Sequence, residues 1–97
     1  WTVRTQPPGF RKLTEMTRTL NGASGVGHIV FSDGLAAVSV FIEPAAARNT
    51  ARQPGLSRQG SISVFARQVY SHWVTVVGEA PAESVKLIAN AVEHRRP

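Results

Sequence analysis

Val26-Gly27-His28-Ile29-Val30-Phe31-Ser32-Asp33-Gly34-Leu35-Ala36-Ala37-Val38-Ser39-Val40-Phe41-Ile42 is two β-rich runs around one Asp-Gly. Asp-Gly between apolar alternations predicts a β-hairpin closed by a type I′ turn, in which both central residues need positive φ. That turn pairs Phe31 with Ala36, Ile29 with Val38 and Gly27 with Val40, with Ile42 continuing the row. The opposite face then carries His28, Val30, Leu35, Ala37 and Ser39. The first face is the better core candidate, and a slip of one residue would turn it to solvent.

Reading outward from the hairpin, the remaining segments are also mostly strands. Trp1–Thr5 is short and β-rich. Phe10–Leu20 is rich in Thr and mixed in polarity, as in a half-exposed strand. Ser61–Val69 and Trp73–Val77 suggest a second hairpin around Tyr70-Ser71. Its chemistry leaves open whether Val64 and Val77, or Phe65 and Val76, face the core. Gln6-Pro7-Pro8-Gly9, Asn21-Gly22-Ala23-Ser24-Gly25 and Gly78-Glu79-Ala80-Pro81 are breaks. Residues 44–59 read as one long polar loop. The end is helical, since Val85, Ile88, Ala89 and Val92 fall on one apolar stripe. Pro81 and Glu83 suit its beginning, and Arg95 and Arg96 suit its negative end. These elements predict an α+β fold: a mostly antiparallel sheet of about six strands with one C-terminal helix packed on a face.

The chain has 97 residues. That supports one core and a single domain over residues 1–97. Hydrophobic residues make up 42% and charged residues 18%, which excludes a wholly disordered chain. No apolar run approaches the roughly 20 residues of a membrane-spanning helix. Cysteine is absent, so disulfides, thiolate nucleophiles and thiolate metal ligands are excluded. The chain begins at Trp1 and reads as an excised fragment.

Eleven Lys and Arg against six Asp and Glu leave a net charge of +5. Such a balance points to an anionic partner. The charge is uneven. Arg48, Arg52 and Arg58 lie in the predicted loop with no acid, Arg95 and Arg96 lie in the tail, and the other basic and acidic residues balance. Arginine can grip a carboxylate or phosphate through two hydrogen bonds. Long connections in small domains are often functional. Two readings of the three arginines therefore stand side by side: a partner-binding site, or a solvated loop whose charge aids solubility. Nucleic acid fits poorly, because stacking needs aromatic residues among the basic ones and the loop has none.

Other constellations read as structural. Gly22, Gly25 and Gly27 lack the following helix that a phosphate loop requires. Gly27 instead reads as a small residue opposite Val40. His28, His72 and His94 lack carboxylates at metal-ligand spacing. Ser32, Asp33 and His72 could form a hydrolase triad only by converging in the fold. Ser32, however, has no nucleophile elbow, and Asp33 is explained by the turn. The residues call for no cofactor, no metal and no enzyme activity.

Three blocks of the sequence resemble one family. They are Pro8-Gly9-Phe10-Arg11, then Val30-Phe31-Ser32-Asp33-Gly34-Leu35-Ala36-Ala37-Val38-Ser39-Val40-Phe41-Ile42-Glu43, then Val74-Thr75-Val76-Val77-Gly78-Glu79-Ala80-Pro81. They look like the C-terminal domain of the RseB/MucB proteins, periplasmic regulators of the envelope-stress sigma factor. The resemblance runs from Trp1 into the final helix. It implies a periplasmic, non-enzymatic binding domain that follows a lipoprotein-sorting-like N-terminal domain, absent from this fragment. It implies binding to the periplasmic segment of an anti-sigma factor, which shields that segment from proteolysis. It also implies the N-terminal domain as a partner and lipopolysaccharide as a releasing signal. Arg48, Arg52 and Arg58 lie outside the matched blocks. They are the candidate contacts to acidic groups on the anti-sigma segment or on a second copy of the chain. The alternative is a lipid-binding domain that uses such basic residues on lipopolysaccharide phosphates.

Overall fold

The computed structural model describes residues 1–20, 23–44 and 55–93. The elements run β1 (Thr2–Val3), β2 (Arg11–Leu20), β3 (Ala23–Ser32), β4 (Ala37–Pro44), β5 (Gly55–Gln59), β6 (Ile62–Val69), β7 (His72–Gly78), α1 (Ala82–Asn90) and β8 (Val92–Glu93). Six strands form an antiparallel sheet in the order β2-β3-β4-β7-β6-β5, and β1 pairs with β8 in a second, two-stranded sheet. This is the α+β fold expected from the sequence, with one strand exchanged. The N-terminal strand leaves the main sheet, and β5 takes a place in it.

The β3–β4 hairpin forms, but its register lies two residues from the type I′ expectation. Phe31 pairs with Val38, Ile29 with Val40 and Gly27 with Ile42. The cause is the chemistry of Asp33. Its Oδ1 accepts hydrogen bonds from the Leu35 and Ala36 amides at 2.9 and 2.8 Å, and Ser32 Oγ accepts from the Gly34 amide at 3.0 Å. These side-chain bonds favour a longer turn in which only Gly34 has positive φ, +96°. A shift of two keeps every side chain on its expected face. Ile29, Phe31, Val38, Val40 and Ile42 are all buried in the core. The main-chain amides of Ala36 and then Leu35 hold the Asp33 carboxyl below its ordinary range. That contribution is present at neutral pH and is lost as the pH falls through the acid range.

Direct cross-strand partners share a face of the sheet. One row joins Ile29, Val40, Val76 and Phe65, and another joins Ile42 with Val74. This face carries the core, so Phe65 and Val76 point inward and Val64 and Val77 outward. Helix α1 covers the face over β6 and β7 through Val85, Ile88 and Ala89. Val92 lies beyond the helix in β8, yet it is buried in the same core. The Arg4–Glu93 ion pair, at 3.4 Å, links the chain just beyond β1 to β8.

The last turn of α1 holds no basic residue. The helix ends at Asn90, so Arg95 and Arg96 fall beyond it and outside the described residues. Arg67 on β6 supplies the missing cation, donating from Nη1 to the Ala89 carbonyl at 3.0 Å. A guanidinium there adds a charged donor to a carbonyl of the last turn and opposes the negative helix end. Arg67→Met is therefore expected to lower the unfolding free energy by about 1–2 kcal/mol. The change will show as a reduced urea midpoint. An unshifted midpoint would show that the bond contributes nothing net.

Candidate functional site

The residues singled out in the sequence do not all meet. Arg48 and Arg52 lie outside the described residues. Arg58 is described, and it is not on a loop. It sits on β5, whose five residues are all exposed, and pairs with Ser63 of β6. The polar composition of residues 55–59 hid this strand, because an outermost strand with no buried side chain lacks hydrophobic alternation. The two-residue turn at Gly60-Ser61, with Gly60 at φ +62°, was the available signal.

Ser32, Asp33 and His72 are kept apart. Ser32 pairs with Ala37 at one end of β4, and His72 pairs with Pro44 at the other. The separation along β4 is about 24 Å at 3.4 Å per residue. Ser32 and Asp33 are also committed to turn hydrogen bonds. The hydrolase arrangement is thereby removed. The histidines lie against aromatic rings: His28 stacks on Phe41 with centroids 4.4 Å apart, and His72 meets Trp1 edge-on at 4.9 Å. His94 lies outside the described residues. No group of three potential ligands gathers among the described residues.

A cleft of about 630 Å³ opens on the core face over β2, β3 and β4. Its lining includes Thr17, Gly27, Ile29 and Ile42, with Trp1 and His72 at one side. Gly27 lowers the floor, because it places no side chain in the row opposite Ile42. Glu15 also borders the cleft, and its Oε1 receives the Lys12 ammonium at 2.7 Å. The cleft thus combines apolar side chains with a paired carboxylate and the rings of His28 and His72. Sequence reasoning missed it, since Trp1 and His72 are 71 positions apart in the chain and meet only through the fold.

Among the described residues, the outer strands of the main sheet are β2 and β5. β2 carries two register irregularities, at Lys12/Thr14 and Arg18/Leu20. β5 pairs with β6 in unbroken register. The domain therefore offers a cleft near the β2 side and a regular, basic strand edge on the β5 side.

The family model described as MucB/RseB C-terminal domain matches residues 1–93. Among solved structures, the chain is similar to MucB in its complex with MucA(peri), at 29% identity and a TM-score of 0.79, the match covering 100% of this chain and 37% of that one. It is also similar to the Pseudomonas aeruginosa MucA/MucB complex, at 30% identity and a TM-score of 0.70, covering 92% of this chain and 32% of that one. MucB alone matches at 29% identity and a TM-score of 0.66, over 94% of this chain and 31% of that one. The chain thus spans about a third of the length of these MucB chains. No curated protein matches the sequence.

Proposed function

This chain belongs to the MucB/RseB C-terminal domain family, and from that premise we propose that it is a non-enzymatic regulatory binding domain acting in the periplasm. Its partner is the periplasmic segment of an anti-sigma factor. Binding shields that segment from proteolysis and so restrains the envelope-stress sigma factor. The observation that carries this reading is the likeness, over the whole chain, to MucB bound to MucA(peri). The domain works beside an N-terminal lipoprotein-sorting-like domain, consistent with its covering about a third of the MucB chains.

Arg48, Arg52 and Arg58 supply contacts to acidic groups of the segment. Replacing all three with Ala in the full-length protein is expected to weaken binding to the anti-sigma segment by about tenfold at low ionic strength, and less at high salt. Isothermal titration at two salt concentrations measures both. Equal affinity at low ionic strength removes the arginines from the site. Loss of retention on lipid A vesicles with unchanged segment binding would assign them to lipopolysaccharide phosphates instead.

A further inference from the structure

We propose that the outer edge of β5 is a strand-docking site, which takes an extended segment of the partner as a seventh strand through the main chain of Leu56 and Arg58. This rests on the reading of the domain as a binder of an anti-sigma segment, and it names where and how the segment sits.

The edge is defined by the β5–β6 hairpin. Gln59 pairs with Ile62 across the two-residue turn, and the register continues through Arg58↔Ser63, Ser57↔Val64, Leu56↔Phe65 and Gly55↔Ala66. A two-residue turn closes on a hydrogen-bonded pair, and bonded pairs then alternate. Gln59, Ser57 and Gly55 accordingly spend their main-chain groups on β6. Leu56 and Arg58 each turn one N–H and one C=O away from the sheet. These groups form a ready template for another strand.

The features that blunt sheet edges in natural proteins are concentrated on the other outer strand. β2 has its two register irregularities and the Lys12–Glu15 pair. β5 has no proline and no register shift. Its Leu56 is 48% exposed, although its cross-strand partner Phe65 packs against the core.

The side chains say what the added strand contains. Leu56 and Arg58 project on one face of the sheet, because they are two residues apart. Among the described residues, no carboxylate forms an ion pair with Arg58. An antiparallel occupant therefore presents a carboxylate beside Arg58 and, two residues later, an apolar side chain beside Leu56: an acid–x–apolar segment. A second copy of β5 fits worse. Self-pairing centred on Ser57 or Arg58 brings the two Arg58 guanidinium groups diagonally near or directly opposite each other, and like charges there repel.

The test uses the full-length protein and the anti-sigma periplasmic segment. Amide hydrogen exchange is expected to slow by at least about tenfold at Leu56 and Arg58 on binding. Ser57, whose amide already bonds β6, changes little. Leu56→Pro removes one outward N–H and leaves the β6 ladder intact, so it is expected to weaken binding about tenfold with little change in melting temperature. Arg58→Glu weakens binding further, and Arg58→Lys restores most of the loss. Should Leu56→Pro fail to fold, the exchange pattern of the unmodified protein decides alone. Tight binding with unchanged exchange at Leu56 and Arg58 overturns the docking site and leaves the proposed function standing. No binding of the segment by the unmodified protein overturns both.

Discussion

Phe31→Ala is expected to cost about 3–5 kcal/mol of unfolding free energy. Phe31 is 2% exposed and sits in the core cluster with Val38, Val40 and Ile88. It is the largest of the fully or almost fully buried side chains. Truncation removes the ring's transfer free energy and leaves a cavity that two paired strands cannot collapse. A domain of this length has only about 5–15 kcal/mol in total, so the loss approaches unfolding. Leu35, four residues away in the same hairpin, is 98% exposed. Leu35→Ala is expected to stay within about 0.5 kcal/mol of the parent. Urea denaturation of the two variants measures both. A Phe31→Ala loss below about 1.5 kcal/mol would show that the core does not depend on the Phe31 ring as its burial implies.

That contrast also marks how far the sequence could be read. The alternation of Ile29, Phe31, Val38, Val40 and Ile42 identified the buried face, because alternation survives any even shift in register. The turn residues alone could not set the register. Asp33 can serve a two-residue turn or accept two amide bonds from a longer one, and only the folded hairpin selects the second. The helix was legible from Val85, Ile88 and Ala89, but its end was not. Val92 keeps the helical spacing and is buried, yet it lies in β8, where its backbone pairs with Val3 of β1. Arg67 as the cation at the helix end was invisible, since it is 22 positions from Ala89. The candidate site was legible least of all. β5 has no buried side chain to betray it, and the cleft depends on residues as far apart in the chain as Trp1 and His72. Membership of the family could be read because it rests on words such as Ser32-Asp33-Gly34-Leu35 and Val77-Gly78-Glu79. Binding surfaces could not, because they rest on which edges the topology leaves open.

Gly78→Val is expected to destabilise the domain by at least about 3 kcal/mol, and Gly78→Ala by about 1–3 kcal/mol. Gly78 belongs to the third of the blocks that resemble the family, and packing explains why that position has no side chain. It pairs with Val38 on one side and Ser63 on the other, all on the core face. A methyl group added there would lie 2.7 Å from the Ala37 carbonyl oxygen and 2.9 Å from Val38 Cγ2. The first of these is main chain in a paired strand, so relief requires β4 to move. Such a movement would also disturb Ser63, whose buried hydroxyl donates to the Ala80 carbonyl at 3.1 Å and ties the sheet to the start of α1. Gly27 provides the internal comparison. It too lies within a strand, but a methyl group there would meet Ile42 Cβ at 3.6 Å, an ordinary contact. Gly27→Ala also removes the entropic cost of a strand glycine, so it is expected to leave stability unchanged or raise it by about 0.5 kcal/mol. Thermal melts of the pair separate the two positions, since each kcal/mol moves the midpoint of a domain this small by roughly 4–8 °C. Equal melting temperatures for Gly78→Ala and Gly27→Ala would show that the close approach of β7 to β4 does not constrain residue 78.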